Sequence, residues 1–245
     1  MYENIIQKRD QLLRAIPSGP EFASWLEESD LWCWLYSCFR ITGRPVSKKT
    51  VVSMLSGEII EDVPLNLFAF ASDLRSIHAD MKSYLLMQAV PDRRMLNRWA
   101  AKLLGKDDRD PSKELYRQNN PVVYDWDLVP AHFRSIHEEL DALMKKYSRL
   151  SDDPVLSVCR LHLEINKLYP YGEDTATVAF AAVLYQLMRL RLPVPELSID
   201  TEEYNRLVAE YIKKGDISGF AEMFAKSLNE RIDAVRSIAL QAGGK

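Results

Sequence analysis

Leu168-Tyr-Pro-Tyr-Gly-Glu-Asp-Thr-Ala-Thr177 is the stretch on which the reading of this chain turns. It joins two segments of strong helical character. Upstream, Val155, Val158, Leu161 and Ile165 recur at spacings of three and four behind Asp152-Asp-Pro154, which reads as a helix start. Downstream, Thr175 to Leu192 is apolar over most of its length and stops at Pro193 and Pro195. Pro170 and Gly172 punctuate the loop, and Asp174-Thr175 is expected to cap the second helix. A loop that ends in a helix N-terminus can present backbone N–H groups to an anion. This is therefore where a phosphate-handling site is expected.

Nearly everything around that loop also predicts helix. Asn4 to Ile16 places Ile5, Ile6, Leu12, Leu13 and Ile16 on one side, and Pro17-Ser-Gly-Pro20 breaks the pattern. Glu21 to Phe39 carries Phe22, Trp25, Trp32, Trp34, Tyr36 and Phe39, a load that predicts a mostly buried helix. Ser47 is an N-cap candidate for a short helix to Leu55, stopped by Gly57. Pro64 opens a long helix through Leu67, Phe70, Leu74, Ile77, Met81 and Leu85. Further helices are expected over Met95 to Leu104, Pro130 to Tyr147, Glu202 to Lys214 and Ile217 to Gln241. Lys106 to Lys113 has charge and no apolar period, so it reads as an exposed loop. Tyr116 to Tyr124, with Asn119-Asn-Pro121 and Val122-Val-Tyr124, is predicted to form a small hairpin.

The composition sets limits. The 245 residues are 47% hydrophobic, enough for one large core, and hold no apolar run of membrane-spanning length. The first ten residues are amphipathic and mixed in charge, unlike a signal peptide. A net charge of -3 gives no electrostatic reason to expect nucleic acid. The three cysteines, Cys33, Cys38 and Cys159, have no metal spacing and read as buried thiols of a reducing cytoplasm. His132 and His137 are five apart and fall on different helix faces, which argues against a metal pair.

From about Tyr36 onward the chain resembles the Fic (Fic/Doc) family. In that family a helix ends in His-Pro-Phe, followed two residues later by an acid, then Gly-Asn-Gly-Arg and a second Arg at the start of another helix. Here the register is Tyr169-Pro170-Tyr171, Gly172-Glu173, Asp174-Thr175-Ala176-Thr177 and Phe180. Pro170 matches, Tyr171 is an aromatic substitute and Glu173 keeps the acid. Tyr169 stands for the His, and Thr177 and Phe180 stand for the two arginines. His162, Leu190-Arg-Leu-Pro193, Glu203-Tyr204, Lys214-Gly-Asp216 and Phe224 resemble the flanks. Glu114-Leu-Tyr-Arg117 and Asn120-Pro-Val-Val123 resemble the stretch leading into the family's flap. Cys38 and Thr42 fall where many members carry a self-inhibitory pair.

The resemblance implies an all-α Fic-like helical bundle with a short β-hairpin flap. It also implies an N-terminal helical segment over residues 1–60 and a Fic-like domain over 61–245, within one compact unit. Family members move AMP or a related group onto a target hydroxyl. A tyrosine with a pKa near 10 is a poor replacement for the histidine base. The nucleotide-cradle positions Asp174, Thr175, Ala176 and Thr177 lack the glycines and arginine, and Asp174 puts a carboxylate where phosphate would sit. Glu173 is a lone candidate Mg²⁺ ligand, or a first-turn acid facing the helix dipole.

The expectation is a cytoplasmic protein without AMPylation activity or cofactor. It would bind a protein partner through Asn120, Val122, Val123 and Tyr124, with no role for nucleic acid or membrane. Self-association into a homo-oligomer is left open. The alternative is a divergent transferase using Tyr169 and Glu173, with Mg²⁺ and ATP or an unusual donor. A regulatory partner in a toxin–antitoxin or effector system is a third reading, resting on family analogy.

Overall fold

In the computed structural model the described residues are 3–44, 46–58, 60, 63–106, 115–149 and 153–243. They form α1 (Glu3–Ala15), α2 (Pro20–Ile41), α3 (Lys48–Ser56), α4 (Leu65–Leu86) and α5 (Arg93–Leu103). After these come α6 (Ile136–Tyr147), α7 (Pro154–Leu168), α8 (Thr175–Arg189), α9 (Thr201–Lys214) and α10 (Ser218–Gly243).

The α8 helix is the axis of the bundle. Every residue from Thr175 to Leu187 is buried, as its apolar sequence demands. It packs against α7 most extensively, and against α2, α4 and α5. The α7 helix in turn contacts α6, α9 and α10, while α1 lies along α10. One continuous core runs from Ile5 to Ala239. Lys8 of α1 reaches Asp233 of α10 at 2.7 Å, and Arg231 of α10 reaches Asp30 of α2 at 2.8 Å. Within α2, Trp34 and Phe39 are fully buried, whereas Trp25 and Trp32 are only partly covered.

The helix ends follow their local chemistry. Ser47 Oγ accepts the Thr50 N–H at 3.0 Å, and Gly57 closes α3 at φ 76. Asp153 Oδ1 accepts the Leu156 N–H at 3.0 Å to start α7. Asp200 does the same for α9 through Glu203 at 2.9 Å.

Three expectations are corrected. The predicted flap hairpin is not seen. Val123 and Leu128 make a single antiparallel bridge around a 3-10 turn at Tyr124–Trp126. Pro121 and Pro130 flank this bridge and bring no N–H to extend a ladder. Trp126 is buried and donates to Asn205 of α9 at 2.9 Å, which curls the segment onto a helix. The sixth helix begins at Ile136, not Pro130, because Asn120 Oδ1 takes the Phe133 N–H at 2.9 Å and a 3-10 turn intervenes. Asp174 occupies the N-cap position of α8 without a side-chain cap, since the chain enters that helix from a 3-10 turn over Gly172–Asp174. The predicted charged loop falls, beyond Lys106, outside the described residues. Among the described residues no helix is long and apolar enough to cross a membrane.

Candidate functional site

The site begins with a backbone irregularity. Tyr169, directly after α7, sits in the left-handed region at φ 52 and ψ 50. For a residue with a bulky side chain this conformation costs on the order of 1–2 kcal/mol and must be held by its surroundings. Arg117 holds it. Its backbone N–H donates to Pro170 O at 3.0 Å, and its Nε donates to Tyr169 O at 2.9 Å. Nη1 donates to Asn119 O at 2.7 Å and to Asn120 Oδ1 at 3.1 Å. Nη2 reaches Ala131 O and, at 3.4 Å, Leu168 O. A buried guanidinium thus ties the motif loop to both sides of the expected flap.

The next residues anchor the loop. Pro170 and Tyr171 are buried, and Tyr171 donates its hydroxyl to Asn97 at 2.8 Å. The Tyr171 N–H donates to Thr175 Oγ1 at 3.0 Å, so Thr175 closes the loop from inside the core. Gly172 takes φ 62, which glycine adopts without a Cβ penalty.

Beside Tyr169 opens a cleft of about 560 Å³. The sequence-predicted residues that line it are Tyr169, Glu173, Ala176, Val122, Val123 and Tyr124. Pro170, Tyr171, Asp174, Thr175, Thr177 and Asn120 are not among its walls. Thr177 and Phe180, at the family's arginine positions, are 0% and 1% exposed. Phe180 packs edge-on against His162 within the core. No side chain at these two α8 positions therefore brings a cation to the cleft.

Sequence reasoning missed several walls: Ile41, Arg44, Asp125, Trp126, Thr201 and Asn205 also line the cleft, together with Thr42 and Tyr204 from the family-like flanks. Trp126 meets the Tyr169 ring edge-on at 5.6 Å between centroids. Tyr204 is buried, with its hydroxyl 2.8 Å from His162 Nε2. Burial drives His162 down to a pKa of about 3, so this support is a neutral imidazole. Arg44 is a cation from the connection after α2, 3.9 Å above the Phe70 ring. No local signal marks it, because only the packing of α2 against α8 and α9 carries that connection to the cleft.

Two acids dominate the field near Tyr169. Burial raises the Tyr169 hydroxyl above its usual pKa, and the charges of Glu173 and Asp125 push it further, against a smaller pull from Arg117. It is protonated at neutral pH. The Asp174 carboxyl is also raised, first by burial and then by Glu173, with Arg44 opposing. Of the two motif acids only Glu173 lines the cleft, and Arg44 is the one arginine on its wall. Among the described residues no three metal-binding side chains converge.

No protein-family model and no curated protein sequence matches the chain. Solved structures do. A fragment of Fic-1 from C. elegans superposes with a TM-score of 0.78 at 15% identity, over 100% of this chain and 72% of that one. A Fic-domain-containing signaling protein from Bacteroides thetaiotaomicron gives 0.71 at 14% identity, over 98% of both chains. A Fic family protein from Desulfovibrio desulfuricans gives 0.70 at 14% identity, over 98% of this chain and 74% of that one. By these superpositions the chain has the fold of the Fic-domain proteins.

Proposed function

We propose that this protein keeps the Fic scaffold, does not transfer nucleotides, and acts by binding another protein at the cleft and the adjoining segment 122–129. The observation that carries the reading is the start of α8, where Thr177 and Phe180, at the positions of the family's arginines, are buried in the core and Asp174 precedes the helix. The Tyr169 hydroxyl, raised in pKa by burial and by Glu173, is no substitute for a base that works near neutral pH.

The binding surface is the segment facing the cleft. Val122 is 48% exposed, Tyr124 87% and Val129 71%, three apolar side chains on the segment that carries the Val123–Leu128 bridge and its 3-10 turn. An extended partner segment would pair along this stretch and place a side chain toward Tyr169. The three buried thiols suit a reducing cytoplasm. A second copy of the chain is among the partners the test resolves.

The test combines two readouts. The purified chain is incubated with labelled ATP, GTP and CTP, Mg²⁺ or Mn²⁺, and cell lysate, and no label is expected on protein. In parallel, cross-linking captures a partner from native cells, and Tyr124→Ala lowers its yield. Robust transfer that disappears in Tyr169→Phe overturns the proposal.

One observation favours a second reading, a transferase with an unusual donor. The cleft is open and contains Tyr169, Glu173 and Arg44 together. That reading requires measurable nucleotide or donor binding. Calorimetry without heat for any nucleotide at millimolar concentration removes its basis.

A further inference from the structure

A second cavity of about 550 Å³ lies away from the cleft, between α1, α2 and α4 and the chain that follows α8. Its walls are mainly apolar, among them Leu12, Ile16, Phe22, Leu26, Leu85 and Val194. The volume is that of a small-molecule site, and such sites pair apolar walls with a few placed polar groups.

Two of the charges around it, Lys82 and Asp30, are matched in ion pairs. Lys82 pairs with Glu27, and both are about half exposed, which puts them at the mouth. Asp30 is held by Arg231 at 2.8 Å and by the Val194 N–H at 3.1 Å. Arg191 is exposed at the rim. His78 differs from all of these. It lines the cavity, is 6% exposed and has only burial and the charges of Glu27 and Lys82 acting on it, with no hydrogen bond to a described residue. Its ring leans on Trp34 with centroids 6.2 Å apart. Burial lowers its pKa below 6.5, with Glu27 and Lys82 acting in opposite senses. It is therefore a neutral imidazole, with one donor and one acceptor that the protein leaves unused. In this apolar setting a bound molecule that supplies a hydrogen-bond partner takes the place of the residual solvent contact of the ring.

We propose that this cavity binds an uncharged, mainly apolar small molecule whose single hydroxyl or carbonyl oxygen hydrogen-bonds His78. With Lys82 and Asp30 paired and Arg191 exposed to water at the rim, no unpaired charge is buried inside to receive a carboxylate or an amine. The apolar walls exclude a sugar or a nucleotide, whose many polar groups would be stranded there. His78 and Lys82 are one turn apart on α4, so a molecule entering past Lys82 meets the imidazole next.

The experiment uses the full chain and three probes: 1-octanol, octanoate and octylamine. The chain has 4 histidines, so the imidazole nitrogens are resolvable by NMR. A saturable shift confined to His78 is expected with 1-octanol, with octanoate and octylamine weaker by about tenfold or more. His78→Phe, similar in shape but without the polar atoms, should bind 1-octanol about tenfold more weakly. Should that variant fail to fold, Leu26→Trp fills the cavity with His78 intact and should abolish the shift. Absence of a saturable shift, equal binding of octanoate, or undiminished binding in His78→Phe or Leu26→Trp overturns the assignment.

Discussion

The cleft beside Tyr169 and the cavity under α1 and α2 have nearly the same volume, about 560 and 550 Å³, and opposite chemistry. The cleft is built from helix ends and loops: the Tyr169 loop, the connection after α2, and segment 122–129. Its walls therefore carry hydroxyls, carboxylates and an arginine. The cavity is built mostly from helix sides, which present apolar stripes, with Lys82 and Asp30 in ion pairs and Arg191 exposed at the rim. Size alone does not distinguish the two. What each can hold follows from which polar groups remain unmatched: Arg44, Glu173 and the Tyr169 hydroxyl in one, His78 in the other.

The comparison can be tested hardest by pH. The unfolded chain binds a proton at histidine near pH 6.5, whereas His162 in the fold does so only near 3. Stability from this group is full above about 6.5 and is lost as pH falls toward about 3, by on the order of 5 kcal/mol. His78, also lowered, acts in the same sense. Asp30 runs the other way. Burial raises its carboxyl to about 6, so acidification from about 6 toward 4 favours the folded state through that group. Chemical denaturation from pH 7 to 4 should show a net loss that His162→Phe reduces. An unchanged slope in that variant breaks the link between the buried imidazole and the Tyr204 wall.

Arg117→Ala separates the two regions next. It strands the carbonyls of Leu168, Tyr169, Asn119 and Ala131 and should cost about 3 kcal/mol, read as a fall of roughly 6–12 °C in Tm. The same variant should bind 1-octanol normally, since Arg117 is remote from the cavity lining. Gly172→Ala is a smaller perturbation. A Cβ there meets nothing within 4 Å, so its cost of about 1 kcal/mol comes from φ 62 alone, measurable by urea titration. Tyr124→Ala, at 87% exposure, should change stability by less than about 0.5 kcal/mol while reducing partner capture. A large stability loss would mean that segment 122–129 belongs to the frame and not to a docking surface.

How legible each part was depends on how local its cause is. Ser47, Gly57 and Asp153 act within a few residues, and the helices they bound lie where the sequence places them. The flap was misread because the β-branched and aromatic run Val122-Val-Tyr124 predicts strand, while Trp126 finds a partner on α9, 79 residues away. Asp174 was misread as a cap because a 3-10 turn, invisible to a cap pattern, precedes α8. Arg44 was missed because only the packing of α2 against α8 and α9 carries it, with its neighbours Ile41 and Thr42, to the cleft.

The order of residues by itself determined an all-helical bundle and the loop at its functional end, because helix periodicity, caps and the Pro-Tyr-Gly punctuation are short-range effects. Only the tertiary structure decided which side chains share a space. It sank Thr177 and Phe180 into the core and brought Arg44 over Phe70. It also left His78 without a partner, because burial and pairing depend on elements far apart in the chain.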